Sequence, residues 1–288
     1  VSFDAEAYRH ASLEGWEAAA PGWVRRQELM RHYAAPVSHR MLDALQLQPG
    51  ERVLELAGGV GETGMLAAEL VAPGGSVIVS DQAEAMLEGA RARALELGLT
   101  NVETRVLNAE WIDLPLASVD AVLCRWGYML MADPAAALGE TRRVLASEGR
   151  LAFAVWDSLR CNPWALLPRQ ELIERGLAPA PAPRESSEPR PGPFALGDAE
   201  KLRELVAQAG FAEIEIEALE LPRRHSDFED LWETTLDLSQ EFHNAVLSQP
   251  GEEMEAIKSS LQQRFAPFTA PDGTLEIPGR TLVVSASA

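Results

Sequence analysis

Apolar and polar positions along the chain recur with two periods. Residues 1–50 repeat with the helical period: Trp16, Ala19 and Ala20 fall at i, i+3 and i+4, and beyond Pro21-Gly22 a second run carries Trp23, Leu29, Met30 and Tyr33. A third run, Val37 to Leu47, ends at Gln48-Pro49-Gly50, which stops a helix. Short apolar runs then alternate with helical ones. Val53–Leu56, Ser76–Ser80, Val102–Val106, the run from Ser118 towards Tyr128, and Leu151–Trp156 predict strands. Helices are predicted from Met65, over Gln82–Leu95 and from Asp133. Such alternation predicts an α/β fold with a mostly parallel sheet.

Beyond residue 158 the plan is less regular. Asn162-Pro163-Trp164 opens a helical run to about Gly176, whereas Ala178–Pro193 holds six prolines in sixteen residues, which excludes helix and central strand and predicts a lid or linker loop. Gly197–Ala209 returns to helix, Glu213-Ile-Glu-Ile-Glu alternates as a half-buried strand does, Phe228 to about Phe265 is helical with a break at Pro250-Gly251, and Thr281–Ser285 makes a last strand. There are no internal repeats.

The 288 residues suffice for one large α/β domain or a domain plus a lid. A net charge of −19 repels phosphate backbones, and the nearest basic run, Arg223-Arg224-His225, is too short to offset it, so nucleic acid is not expected as a partner. The acidity reads first as solubility and second as selection for a neutral or cationic small substrate. No apolar run is long enough to span a bilayer, and Val1-Ser-Phe-Asp-Ala-Glu lacks the regions of a signal peptide, so a cytoplasmic location is expected. Cys124 and Cys161 lie too far apart in sequence for a zinc cluster and are expected to behave as small apolar residues.

The chemistry concentrates around Val53-Leu-Glu-Leu-Ala-Gly-Gly-Val-Gly-Glu-Thr-Gly64, a strand, a glycine-rich turn and a helix start. Glycines let the backbone turn sharply and leave amides bare to a ligand. Gly59-x-Gly61-x-x-Gly64, with Asp81 20 residues beyond Gly61, fits the dinucleotide fingerprint and by itself suits a nicotinamide-dependent oxidoreductase. Glu55 argues otherwise: a pyrophosphate there would face a carboxylate with no Lys or Arg in the loop. S-adenosylmethionine has no phosphate and carries an ammonium, a sulfonium and ribose hydroxyls.

The segment resembles the first motif of class I S-adenosylmethionine-dependent methyltransferases, in the ubiquinone/menaquinone-biosynthesis (methyltransferase type 11) group, with Ala57 where that family usually has its first glycine. The resemblance implies a Rossmann-like sheet with an antiparallel last strand, an N-terminal helical cap and an inserted helical lid. Its segments would be a cap at 1–49, a cofactor-binding core at 50–157, a lid at 158–193, a core continuation at 194–221, a helical substrate insertion at 222–274 and the last strand at 275–288. It also implies a donor site at Glu55, Ala57, Gly58, Gly59 and Gly61; at Asp81, with Gln82 and Met86; and at Asn108, Ala109, Glu110, Trp111, Cys124 and Arg125. Asp81 would hold the ribose hydroxyls, an alternative being a simple helix cap. Asn108 stands where the family usually has Asp, and its amide oxygen can still accept from the adenine amine. Trp111 would cover the adenine ring or sit in the core. Arg125 would pair with the cofactor's carboxylate, with Glu55, or with a surface acid.

The function these features imply is methyl transfer to the O, N or C of a small-molecule acceptor, without metal, by a monomer or homodimer. Trp23, Tyr33, Tyr128, Trp164 and Trp232 are the candidates for the acceptor's walls. If a base is needed, the histidines are His10, His32, His39, His225 and His243; His32, His39 and His225 are carried forward, and none sits in a recognisable motif. A non-catalytic cofactor-binding protein is the alternative.

Overall fold

The computed structural model describes residues 3–179 and 190–288; most of the proline-rich stretch, residues 180–189, lies outside the described residues. The strands are β1 (Arg52–Glu55), β2 (Ser76–Asp81), β3 (Val102–Val106), β4 (Val119–Arg125), β5 (Leu145–Trp156), β6 (Ala212–Glu220), β7 (Arg223–His225), β8 (Leu275–Ile277) and β9 (Arg280–Ser287). The helices are α1 (Ala5–Arg25), α2 (Gln27–Leu45), α3 (Glu62–Leu70), α4 (Glu84–Glu96), α5 (Pro134–Val144), α6 (Pro163–Glu174), α7 (Ala199–Gln208), α8 (Phe228–Leu238), α9 (Gln240–Leu247) and α10 (Gly251–Phe265).

Seven strands form one sheet in the order β3-β2-β1-β4-β5-β9-β6, and β9 runs antiparallel to both its neighbours. This is the Rossmann-like plan expected from the sequence. The chain leaves β1 towards β2 and leaves β4 towards β5, so right-handed crossovers place α3 and α5 on opposite faces. The reversal between β1 and β4 opens a crevice at the carboxyl ends of the strands, where ligands of such sheets bind. The central strands are apolar on both faces: Val53, Leu54, Val77, Val79, Val122, Leu123 and Phe153 are at most 1% exposed.

Two local departures matter for the site. The Pro21-Gly22 pair does not end the first helix; α1 continues to Arg25 with Pro21 inside it. Gly22 marks a close helix crossing instead, since a Cβ there would lie 2.4 Å from the carbonyl oxygen of Asp237 on α8. The crossing is tied by Arg25 and Arg26, at 2.6 and 2.7 Å from the Asp237 carboxylate. Likewise the expected second and third runs are one helix, α2, with Pro36 inside it.

The region after β6, together with α6, builds a second, smaller core from Leu172 of α6, Leu231 and Trp232 of α8, Phe242 and Val246 of α9, Ile257, Leu261 and Phe265 of α10, and the β7–β8 ribbon. The helical run from Phe228 breaks at Ser239, whose hydroxyl caps α9, as well as at Pro250.

Candidate active site

Glu55 ends β1 with its carboxyl 2% exposed and accepts from the Gly64 N–H at 3.0 Å. Two glycines make room for it. A Cβ on Gly58 would lie 2.8 Å from Glu55 Oε2, and one on Gly64 would lie 2.4 Å away. Burial raises this carboxyl's pKa from 4.5 to about 8, against the pull of Arg125 and of the Gly64 N–H.

The loop itself corrects the expectation of bare amides. The Gly58 N–H donates to Ser80 O, Gly59 to Asp81 Oδ2, Gly61 to Gly58 O and Gly64 to Glu55, so the glycine amides are engaged within the protein. The loop gains rigidity and offers a phosphate little. Gly59 and Gly61 turn at φ 55° and 83°, and Ala57 is held at φ 49°, in the left-handed region that its missing family glycine would occupy without strain.

Asp81, at the end of β2, accepts from Gly59 N–H through Oδ2 and from Ala83 N–H through Oδ1, at 2.9 and 3.0 Å. It is 9% exposed, and burial raises its pKa. The helix cap of α4 falls on Ala83, so Asp81 braces the turn before the helix and still faces the crevice. Asn108, after β3, accepts from the Glu110 N–H at 2.9 Å through its amide oxygen. Arg125, at the end of β4, is half-buried and donates to Thr63 Oγ1 at 3.0 Å; among the described residues it forms no ion pair.

These groups converge. Glu55, Ala57, Gly58, Gly59, Asp81, Gln82, Met86, Asn108, Ala109, Glu110 and Arg125 line one cavity, with Trp23 and Trp126 also on its wall. Three expected donor residues fall outside it. Gly61 serves as the N-terminal turn of α3, where a Cβ would meet Met65 and Ala90. Trp111 is 78% exposed on the surface, covering no part of the cavity. Cys124 is fully buried in β4, and burial pushes its thiol up to about 12.

Helix α1, within the segment expected as a cap at 1–49, closes the cavity through residues that sequence reasoning did not single out. Tyr8 Oη donates to Leu130 O at 2.9 Å, Arg9 Nε to Glu110 at 3.0 Å, and Gln82 to Ser12 Oγ at 3.1 Å. Glu17 accepts from the Glu84 and Ala85 N–H groups, capping α4 from a distant helix. Glu110 thus holds the lid through Arg9 and the β4 loop through the Ala132 N–H. The signal was present as Tyr8 and Ser12, four residues apart on one face of α1, with Arg9 beside them.

The aromatic candidates separate. Trp23 lines this first cavity, and Tyr33 lines a second cavity of about 360 Å³ between α2, β7 and α8. Tyr128 does not wall either: it is fully buried, its hydroxyl 2.6 Å from Thr141 Oγ1 and its ring edge-on to Phe153. Trp232 packs on Phe242 in the second core. Trp164 stands behind Arg223, 3.4 Å from ring centre to guanidinium carbon.

The histidines separate too. His10, His32 and His39 are exposed, and His243 is half-buried. Only His225 is buried: Nδ1 sits 3.0 Å from Asp230 Oδ2, Nε2 has no partner, and burial lowers its pKa from 6.5. It lines the second cavity.

Residues 47–176 match the family model described as a methyltransferase domain. The chain is 32% identical over 191 residues to the nocamycin O-methyltransferase of Saccharothrix syringae, covering 62% of this chain and 65% of that protein. It is 35% identical over 133 residues to the ubiquinone/menaquinone biosynthesis C-methyltransferase UbiE of Xanthomonas oryzae pv. oryzae, covering 44% and 53%. The fold matches the YcgJ protein of Bacillus subtilis with a TM-score of 0.59 at 16% identity, over 87% of this chain and 97% of that one. These matches liken residues 47–176 to a methyltransferase domain, in line with the resemblance carried by the motif at residues 53–64. The chain spans between about half and two thirds of the length of the curated relatives it matches.

Proposed function

We propose that the protein transfers a methyl group from S-adenosylmethionine to a small-molecule acceptor, and that the cavity under α1 is its donor site. The observation that carries this is Glu55, buried beneath a loop whose glycine amides are already engaged. A buried carboxyl with no loop cation disfavours a pyrophosphate and suits the ammonium of a methionine moiety. Asp81 keeps lone pairs free for ribose hydroxyls beside those its backbone donors use. The O-methyltransferase and C-methyltransferase names of the two relatives support transfer to a small molecule.

S-adenosylmethionine supplies an activated methyl on its sulfonium. The chain's own part is to hold the two reactants in line and exclude water, which α1 does by lying over the cavity. Titration calorimetry with S-adenosylmethionine, its demethylated product and NAD tests the reading. Binding of the first two is expected, with Asp81→Ala weakening both by about tenfold or more through lost charge-assisted hydrogen bonds. Tight NAD binding, or no binding of either methionine derivative, refutes it.

A further inference from the structure

Arg223 occupies an unusual setting for a cation. It is half-buried at the start of β7, and among the described residues no carboxylate forms an ion pair with it. Its guanidinium carbon lies 3.4 Å from the centre of Trp164, 5.0 Å from Tyr33 and 5.7 Å from Trp156. Its Nε donates to Tyr33 Oη at 3.4 Å, and burial lowers its pKa. Such desolvation without a partner is unfavourable unless something else compensates.

We propose that the second cavity is the acceptor subsite, taking a flat molecule that bears a carboxylate, with Arg223 as the anchor of that carboxylate; this rests on the donor site being where the preceding section puts it. Aromatic rings cover the guanidinium's faces, so its free recognition groups are the N–H donors on its edge. That planar fork matches a carboxylate with two parallel hydrogen bonds. Beside Arg223 the cavity's lining carries the apolar Met30 and Leu221 and the polar Tyr33, Arg224 and His225. Among the described residues Glu220 is the one acid on that lining, and it lies 3.9 Å from Arg280.

The cavity also adjoins the donor site. Trp126 lines the donor cavity, its ring centre 6.2 Å from that of Tyr33, which lines the second. Trp126 and Trp156 stack at 4.3 Å, and Trp156 meets Trp164 edge-on at 5.0 Å. A stack of aromatic rings, with Trp126 and Trp156 buried against each other, therefore links the lining of the donor cavity to Arg223. A flat acceptor in the second cavity would have its carboxylate at the arginine and its reacting end towards Tyr33, on the side of Trp126. The reacting oxygen, nitrogen or carbon is then a different group from the anchored one, whose nucleophilicity the guanidinium would suppress.

The probe is 2-naphthoate, compared with naphthalene-2-carboxamide, by calorimetry on the wild-type chain and on Arg223→Gln. The carboxylate is expected to bind the wild type at least about tenfold more tightly than the amide, and Arg223→Gln to lose that preference, with S-adenosylmethionine affinity unchanged. Equal binding of the two probes by the wild type overturns the proposal, and so does an undiminished preference in a folded Arg223→Gln. Should the variant not fold, the wild-type comparison decides alone. Naphthoate binding without any S-adenosylmethionine binding sinks the donor-site reading; the converse sinks only this one.

Discussion

Replacing Glu55 by Gln isolates the largest electrostatic strain in the donor site. In the folded chain the Glu55 pKa is raised from 4.5 to about 8, with burial the main cause. Its stabilising contribution is therefore fully present below the unfolded pKa, where both states are protonated. As pH rises past 4.5 the unfolded state ionises first, and stability falls until the folded carboxyl ionises near 8. Each pH unit in that window is worth about 1.4 kcal/mol, so this one group removes about 3 kcal/mol between pH 4.5 and 7 and about 5 kcal/mol by pH 8. Gln cannot ionise and keeps an oxygen to accept from the Gly64 N–H, so Glu55→Gln should flatten that fall. Urea midpoints at pH 5, 6.5 and 8 for both proteins read the effect.

Cofactor binding supplies a second readout of the same group. If the ionised carboxylate receives the methionine ammonium, binding at pH 7 should release most of a proton from Glu55, whose raised pKa keeps it largely protonated in the free protein. Calorimetry in phosphate and in Tris would give enthalpies that differ by this proton times the difference in buffer ionisation heats. Glu55→Gln should show weaker binding and no Glu55 proton. Parallel stability profiles in the two proteins, together with equal proton release, would refute the reasoning.

Two further outcomes follow from local geometry. Ala57→Gly removes a left-handed alanine, at φ 49°, and should raise stability by up to about 1 kcal/mol once glycine's greater unfolded-state freedom is subtracted; a lower melting temperature would contradict this. Arg9→Ala together with Glu110→Gln opens the α1 clasp, and stopped-flow fluorescence of Trp23 and Trp126 should show faster cofactor association and dissociation; unchanged rates would mean that α1 is not the gate.

The elements that the sequence displayed plainly are those whose pattern is long or buried on both sides. β1, β2 and β4 are near-continuous apolar runs; Glu55 ends β1 just before the glycine-rich turn, and Asp81 ends β2 just before α4. What stayed hidden depends on tertiary approach. Pro21-Gly22 reads as a stop, yet Gly22 exists to let α8 come within contact distance. Residues 223–225 read as a small basic patch, but as the short strand β7 they alternate faces. Arg224 is exposed and pairs with Glu276 at 2.9 Å, while Arg223 is half-buried and His225 buried beside the cavity. Aromatic identity likewise carries no direction: Tyr128 and Trp232 are as aromatic as Trp23 but face packed cores.

The distribution of charge ties the two cavities together. The chain has 44 acidic and 25 basic side chains, so an arginine away from the surface has many acids available to neutralise it. Arg26, Arg143 and Arg175 are neutralised in this way. Arg125 and Arg223 are half-buried near the aromatic stack, and neither forms an ion pair among the described residues. On the donor side the unmatched groups are instead Glu55 and Asp81, both with carboxyl pKa raised by burial. A donor that is cationic and an acceptor that is anionic would each relieve the unfavourable charge on its own side. Glu55 and Arg125 line the same cavity and attract each other there, so the cation already on that side offsets only part of the carboxyl's charge.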